Sequence, residues 1–198
     1  MVVVWQSLML DVILTVMDRY IFRKRKSLTQ QECDNIIKVF DDTQEVGVDT
    51  GQKRVDSKRN YTCVAGEFGL EVYERLLEVL DTSMREYCEK HSVLIRWAPS
   101  SGICKSFNVQ KYDPGCAYSQ EHFEHDDDRS KYKRLLGWMV YLNDIKKDGG
   151  TCWPQQRFTT RPRHGDLYIW PAGWTHSHYG IPAPKEVKYL VTGWGIIL

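Results

Sequence analysis

Residues able to hold a metal ion crowd the last two-fifths of this chain. His122 and Glu124 stand two apart, and so do His125 and Asp127. On an extended strand, residues two apart face the same way, so either pair could converge on one ion. The two pairs aim at opposite faces, and spacing does not choose between them. Trp174-Thr175-His176-Ser177-His178-Tyr179-Gly180 adds two imidazoles with the same separation. Two imidazoles and one carboxylate on one side of an iron leave its other side open, which is the donor set of non-haem iron oxygenases. Lys188 follows ten residues after His178. Its ammonium is a compact point charge with three donors, suited to a carboxylate partner. Each feature alone is weak: His-x-Glu recurs by chance, and a lone strand lysine is usually solvated.

The elements that must position these groups can be read from pattern. Thr29-Gln30-Gln31-Glu32 is a capping box, and Cys33, Ile36, Ile37 and Phe40 follow at helical spacing. That helix should end near Asp42. A longer helix is expected from about Leu70 to Lys90, burying Leu76, Leu77, Leu80, Met84 and Cys88. Residues 19–26 read as a short strand, with Arg23-Lys24-Arg25-Lys26 as its solvated exit. Tyr61–Val64 offers another strand within the polar stretch 43–68, a candidate substrate mouth. After Ser92 come short β-rich runs at 93–97, 103–112, 135–143, 166–170, 174–181 and 187–197, separated by turn residues. The last two should form a hairpin whose second strand shows Lys188, Leu190, Thr192 and Trp194 on one face. Many short strands behind two helices indicate an α+β sandwich or barrel. One domain is expected over 1–198: an apolar extension 1–18, a helical support region 19–92 and a β core 93–198.

Composition narrows the function classes. The 198 residues carry a formal net charge of +1, so no global basic field draws nucleic acid. None of the six cysteines forms a CxxC pair or shows zinc-ligand spacing. Scattered reduced thiols of a cytoplasmic, intracellular protein are the expectation. Met1 to Met17 is apolar but lacks the basic leader and small-residue cleavage site of a signal peptide, and Gln6 and Asp11 interrupt it. It is expected to pack on the domain or extend from it rather than to anchor in a membrane.

The motifs also occur in a recognisable order. Tyr112-Asp113-Pro114-Gly115-Cys116-Ala117-Tyr118 precedes His122-Phe123-Glu124. Arg134 precedes Tyr141-Leu142-Asn143, and Asp148-Gly149-Gly150-Thr151-Cys152-Trp153-Pro154 follows. Pro162-Arg163-His164-Gly165 leads to Trp170, and His178-Tyr179-Gly180-Ile181-Pro182 leads to Lys188. Over residues 105–198 this set resembles the iron(II)- and 2-oxoglutarate-dependent dioxygenases, specifically their prolyl 4-hydroxylase-like branch. The resemblance implies a double-stranded β-helix (jelly-roll) core. It implies iron ligation by His122, Glu124 and His178, because the offsets to Tyr118, Pro182 and Lys188 match. His176 becomes a neighbour of the site. Lys188 and Tyr141 would take the far carboxylate of 2-oxoglutarate, and Tyr112, Trp170 and Trp194 are candidates for the pocket wall, Tyr112 among the cofactor-binding residues. Fe(II), 2-oxoglutarate, O2 and L-ascorbate are the implied cofactors and partners. The implied substrate is a prolyl-type peptide or a small molecule.

Departures from the pattern are Glu124 where most of the family has Asp, a Gly-Gly-Thr element one residue short, and Gly137 where relatives often place a Thr. Viral and phage-like members also carry His-x-Glu. Two other readings stand beside this one. A non-enzymatic jelly-roll binding module would need neither metal nor Lys188. A nucleic-acid-directed dioxygenase usually has an Arg for 2-oxoglutarate and a basic lid, against which Lys188 and the near-neutral charge speak.

Overall fold

The first helix, α1 (Gln30–Gln44), begins at the capping box and runs slightly past its expected end. The Thr29 amide donates to Glu32 Oε2 at 2.6 Å, and the Glu32 amide donates to Thr29 Oγ1 at 3.2 Å, so two orphan donors are satisfied reciprocally. These features come from a computed structural model that describes residues 19–44, 60–64, 70–94, 101–103, 107–125 and 133–197. The second helix, α2 (Leu70–Lys90), lies where the periodicity put it. Its buried stripe is rotated, however: Leu76, Val79, Leu80, Ser83 and Tyr87 are buried, while Leu77, Met84 and Cys88 are only partly so. Local bonds allow this. Ser83 Oγ donates to the Val79 carbonyl at 2.7 Å, and Tyr87 Oη donates to the Tyr20 carbonyl at 3.1 Å.

The described residues form ten strands, in chain order β1 (Phe22–Lys24), β2 (Asn60–Val64), β3 (Ser101–Ile103), β4 (Asn108–Tyr112), β5 (Lys133–Tyr141), β6 (Thr151–Trp153), β7 (Phe158–Thr159), β8 (Leu167–Pro171), β9 (Tyr179–Gly180) and β10 (Lys188–Ile197). Seven make one antiparallel sheet in the order β1-β8-β5-β10-β4-β2, with β3 also on β10. A second, three-stranded antiparallel sheet has the order β7-β6-β9.

Strand alternation divides the large sheet into two faces. Leu136, Trp138 and Val140 alternate with Met139 and Tyr141 along β5, and Tyr189 and Val191 alternate with Leu190 on β10. The first set joins Val109, Leu167 and Ile169 in a core against α1 and α2. The second joins Tyr112, Tyr168 and Trp170 in a core that includes Trp153 of the small sheet. The architecture is thus an α+β jelly-roll core backed by helices, as expected.

Several local expectations are corrected. Residues 174–181 are not one strand: Trp174–His176 form a 3-10 turn and only Tyr179–Gly180 are extended. Nor is there a hairpin to β10. β9 pairs with β6, while β10 pairs with β3, β4 and β5, so residues 181–187 cross between the sheets. Val93 and Leu94 continue a helical turn, and 95–97 lie outside the described residues. The basic run is not a free loop. Arg23 Nε reaches the buried Asp166 at 3.0 Å, and Lys24 pairs with Glu86, so β1 is pinned to the barrel and to α2. Strands β6 and β7 were not anticipated, being too short for periodicity to register. Of the stretch 43–68, only β2 and the end of α1 are described. Among the described residues, no helix is long and apolar enough to cross a membrane. The apolar start 1–18 lies outside them.

Candidate active site

Two backbone hydrogen bonds set the site. His122 and His178 form an isolated antiparallel bridge, with N–H···O distances of 3.0 and 2.8 Å. Directly opposed residues present their side chains together, and the imidazole centroids lie 4.5 Å apart. The Glu124 amide donates to the Ala172 carbonyl at 3.0 Å, fixing the carboxylate's approach from the same segment. Glu124 Oε1 then lies 3.7 Å from His122 Nε2 and 3.4 Å from His178 Nε2. One donor atom from each residue lies within 4.8 Å of the others, close enough for a single ion.

Backbone carbonyls orient the rings. His122 Nδ1 is 2.9 Å from the Gln120 carbonyl, and His178 Nδ1 is 3.0 Å from the His176 carbonyl. A carbonyl only accepts, so each Nδ1 carries a proton, and each Nε2 is turned toward Glu124 as the nitrogen available to an ion. Burial by itself would raise the Glu124 pKa, but hydrogen bonds with His122, His178 and Trp194 outweigh it and hold the carboxyl well below the usual range. Two imidazole nitrogens and one carboxylate suit a divalent first-row ion with open positions, and Fe(II) fits that donor set.

Lys188 faces this set from the other sheet. It is 3% exposed, and its ammonium donates to the Gly149 carbonyl at 3.1 Å and sits 4.9 Å from the Tyr112 ring centroid. No carboxylate pairs with it among the described residues, and burial pushes its pKa down to about 8. A buried ammonium held only by a carbonyl and a ring face is costly unless an anion joins it. Triad and lysine line one cavity of about 390 Å³, a size suited to small organic ligands.

The remaining sequence candidates separate clearly. Tyr112 lines the cavity, with its hydroxyl donating to Gln110 Oε1 at 2.9 Å. Tyr141 lies one layer deeper: its hydroxyl bonds Thr160 Oγ1 at 2.7 Å and Thr151 Oγ1 at 3.0 Å, and Thr151, not Tyr141, lines the cavity. Trp170 and Trp194 line the wall as expected. His176 is outside the donor set, because its 3-10 turn breaks the two-residue alternation. Its Nε2 instead meets the Arg19 carbonyl at 3.0 Å, and burial lowers its pKa. His125 is exposed, and Asp127 lies outside the described residues. Gly137 has a steric reason. It sits across from Trp170 on one side and Trp194 on the other, and a Cβ there would lie 2.7 Å from the Trp170 ring.

Sequence reasoning missed Asn108, Gln110, Met139 and Thr151, which also line the cavity. Asn108 and Gln110 alternate with Tyr112 on β4, so the period-2 rule could have found them once Tyr112 was chosen. Arg134 enters the sequence pattern only as a motif residue. It stacks on Trp194, its guanidinium 3.7 Å from the ring centroid.

Residues 107–195 match the model of the 2OG-Fe(II) oxygenase superfamily, and this span contains every ligand and cofactor candidate above. No curated protein matches the chain in sequence. Solved structures share the fold at low identity. The viral collagen prolyl hydroxylase of Paramecium bursaria Chlorella virus-1, solved with 2OG, is 19% identical with a TM-score of 0.69, covering 91% of this chain and 97% of its own. A Pseudomonas putida prolyl-4-hydroxylase is 17% identical at TM-score 0.67, with 90% and 93% covered. A Trichoplax adhaerens prolyl hydroxylase, solved with a hypoxia inducible factor peptide fragment, is 15% identical at TM-score 0.66, with 98% and 93% covered. With its motif set matched in order and its donor set assembled on this fold, the chain is similar over residues 107–195 to the 2OG-Fe(II) oxygenase superfamily, whose cofactors are Fe(II) and 2-oxoglutarate.

Proposed function

We propose that this dioxygenase is a hydroxylase of prolyl residues in peptides. The observation that carries the oxygenase assignment is the placement of His122, Glu124 and His178 opposite the buried Lys188 in one cavity. Prolyl hydroxylases among the similar structures support the substrate class, and one of them was solved with a peptide. Phe123, 49% exposed at the cavity, offers an apolar contact for a pyrrolidine ring.

His122 Nε2, His178 Nε2 and Glu124 Oε1 would hold Fe(II). When bound, Fe(II) supplies the oxidative chemistry that converts O2, 2-oxoglutarate and a substrate C–H into succinate, carbon dioxide and a hydroxylated product. Lys188 would pair with the distal carboxylate of 2-oxoglutarate. Thr151, backed by Tyr141 and Thr160, places a hydroxyl on the same wall. Trp170, Met139 and Leu190 supply apolar wall to the cavity, which would help exclude water once ligands are bound.

The test is incubation of the protein with Fe(II), ascorbate, 2-oxoglutarate and a panel of proline-containing peptides. Succinate should appear together with a peptide one oxygen heavier. Succinate with no oxidised peptide anywhere in the panel would sink the peptidyl substrate. Absence of both succinate and metal binding would sink the oxygenase reading itself.

A further inference from the structure

The second oxygen of Glu124 has its own partner. Trp194 Nε1 donates to Glu124 Oε2 at 2.7 Å, leaving Oε1 as the oxygen beside the two imidazoles. Arg134 covers the indole at 3.7 Å from its ring centroid, and the same guanidinium reaches the Glu124 backbone carbonyl at 3.4 Å through Nη1. Trp194 stands across from Gly137, beside which the Trp170 ring packs. A glutamate carries one methylene and one rotatable bond more than an aspartate. Left alone, its carboxylate could turn or offer both oxygens to an ion.

We infer that Trp194 is a positioning residue for the metal-binding carboxylate: its indole N–H captures Oε2 and commits Oε1 alone to the site shared with His122 and His178. The inference rests on the iron-site reading above and concerns how this chain makes a glutamate serve there. Partners that hold a ligand's second atom set the ligand's orientation and the affinity of the site for metal. β10 then carries two separate duties on one face, with Lys188 near one end and Trp194 six residues on.

The experiment is a calorimetric Mn(II) titration of the full chain and of Trp194→Phe, which keeps a ring beneath Arg134 and removes the donor. Mn(II) affinity should fall roughly 10- to 100-fold. On a Glu124→Asp background, whose shorter carboxylate cannot reach both ion and indole, the same substitution should cost less than about threefold. A second variant carries benzothienylalanine at position 194, a tryptophan isostere without the N–H, and should match Trp194→Phe. Parental Mn(II) affinity in that isostere or in Trp194→Phe overturns the inference, as does an equal loss in the Glu and Asp backgrounds. A parent chain that binds no Mn(II) overturns the metal-centre reading beneath it, so the two failures are distinguishable.

Discussion

At the scale of single residues, Lys188 should make 2-oxoglutarate binding dependent on pH. Its folded pKa of about 8 lies below the ordinary 10.5, with burial as the cause. Between those values the unfolded chain binds the proton and the ligand-free folded chain does not, so this group's contribution to stability rises with pH across that window. Below about 8 both states are charged and the full burial penalty remains. Anion binding runs the other way. Above about pH 8 the cavity must take up a proton to bind a dianion, so 2-oxoglutarate affinity should fall by up to roughly tenfold per pH unit. Calorimetry in the presence of Mn(II) from pH 7 upward checks this. Lys188→Arg should flatten the dependence, and Lys188→Ala should lose most affinity at every pH. The histidines divide equally sharply. His178→Ala should abolish Mn(II) binding. His176→Ala should retain it and lose only about 1 kcal/mol of stability with its hydrogen bond to the Arg19 carbonyl.

At the scale of elements, the site depends on close contact between the β6 segment and its neighbours. A Cβ on Gly150 would lie 2.0 Å from the Thr160 carbonyl oxygen, and the adjacent Gly149 carbonyl holds Lys188. Gly150→Ala must therefore push β6 away from the 158–160 segment. The expected cost is roughly 2–3 kcal/mol, read as a lower denaturation midpoint, with weaker 2-oxoglutarate binding because the Lys188 tether moves. β1 is held differently. Arg23→Met leaves the buried Asp166 carboxylate without its guanidinium and should cost about 1–3 kcal/mol by the same measurement.

At the scale of the molecule, the ligands bridge parts that are distant in sequence. The candidate metal donors come from 122–124 and 178, and Lys188 comes from the large sheet across the cavity. Anything that binds both walls of the folded state and not the unfolded chain stabilises the whole core, by about 2.7 kcal/mol at a hundredfold excess over Kd. For a chain of this length each kcal/mol raises the Tm by roughly 2–4 °C. Mn(II) with 2-oxoglutarate should thus raise the Tm by about 5–10 °C in differential scanning fluorimetry. Lys188→Ala should abolish the part due to 2-oxoglutarate, and His178→Ala the part due to metal.

The chain itself carried the capping box, both helices, the strand-rich second half and the ordered motifs, because these are local patterns of charge, turn residues and apolar period. It also carried the shared face of Lys188, Leu190, Thr192 and Trp194, since alternation follows from backbone geometry alone. Between the adjacent histidines and carboxylates it had no local means to choose; only the family resemblance did so. Tertiary structure placed them through the His122–His178 bridge, a contact across 56 residues (178 − 122), and through the turn that sends the His176 side chain elsewhere. The crossing of residues 181–187 between sheets was equally invisible. A hairpin and a crossover share the same turn residues, and which one forms depends on what the returning strand pairs with. Sequence thus determined which groups were available for chemistry. The fold decided which of them meet, because convergence on one ion is a property of distant backbone pairings rather than of spacing.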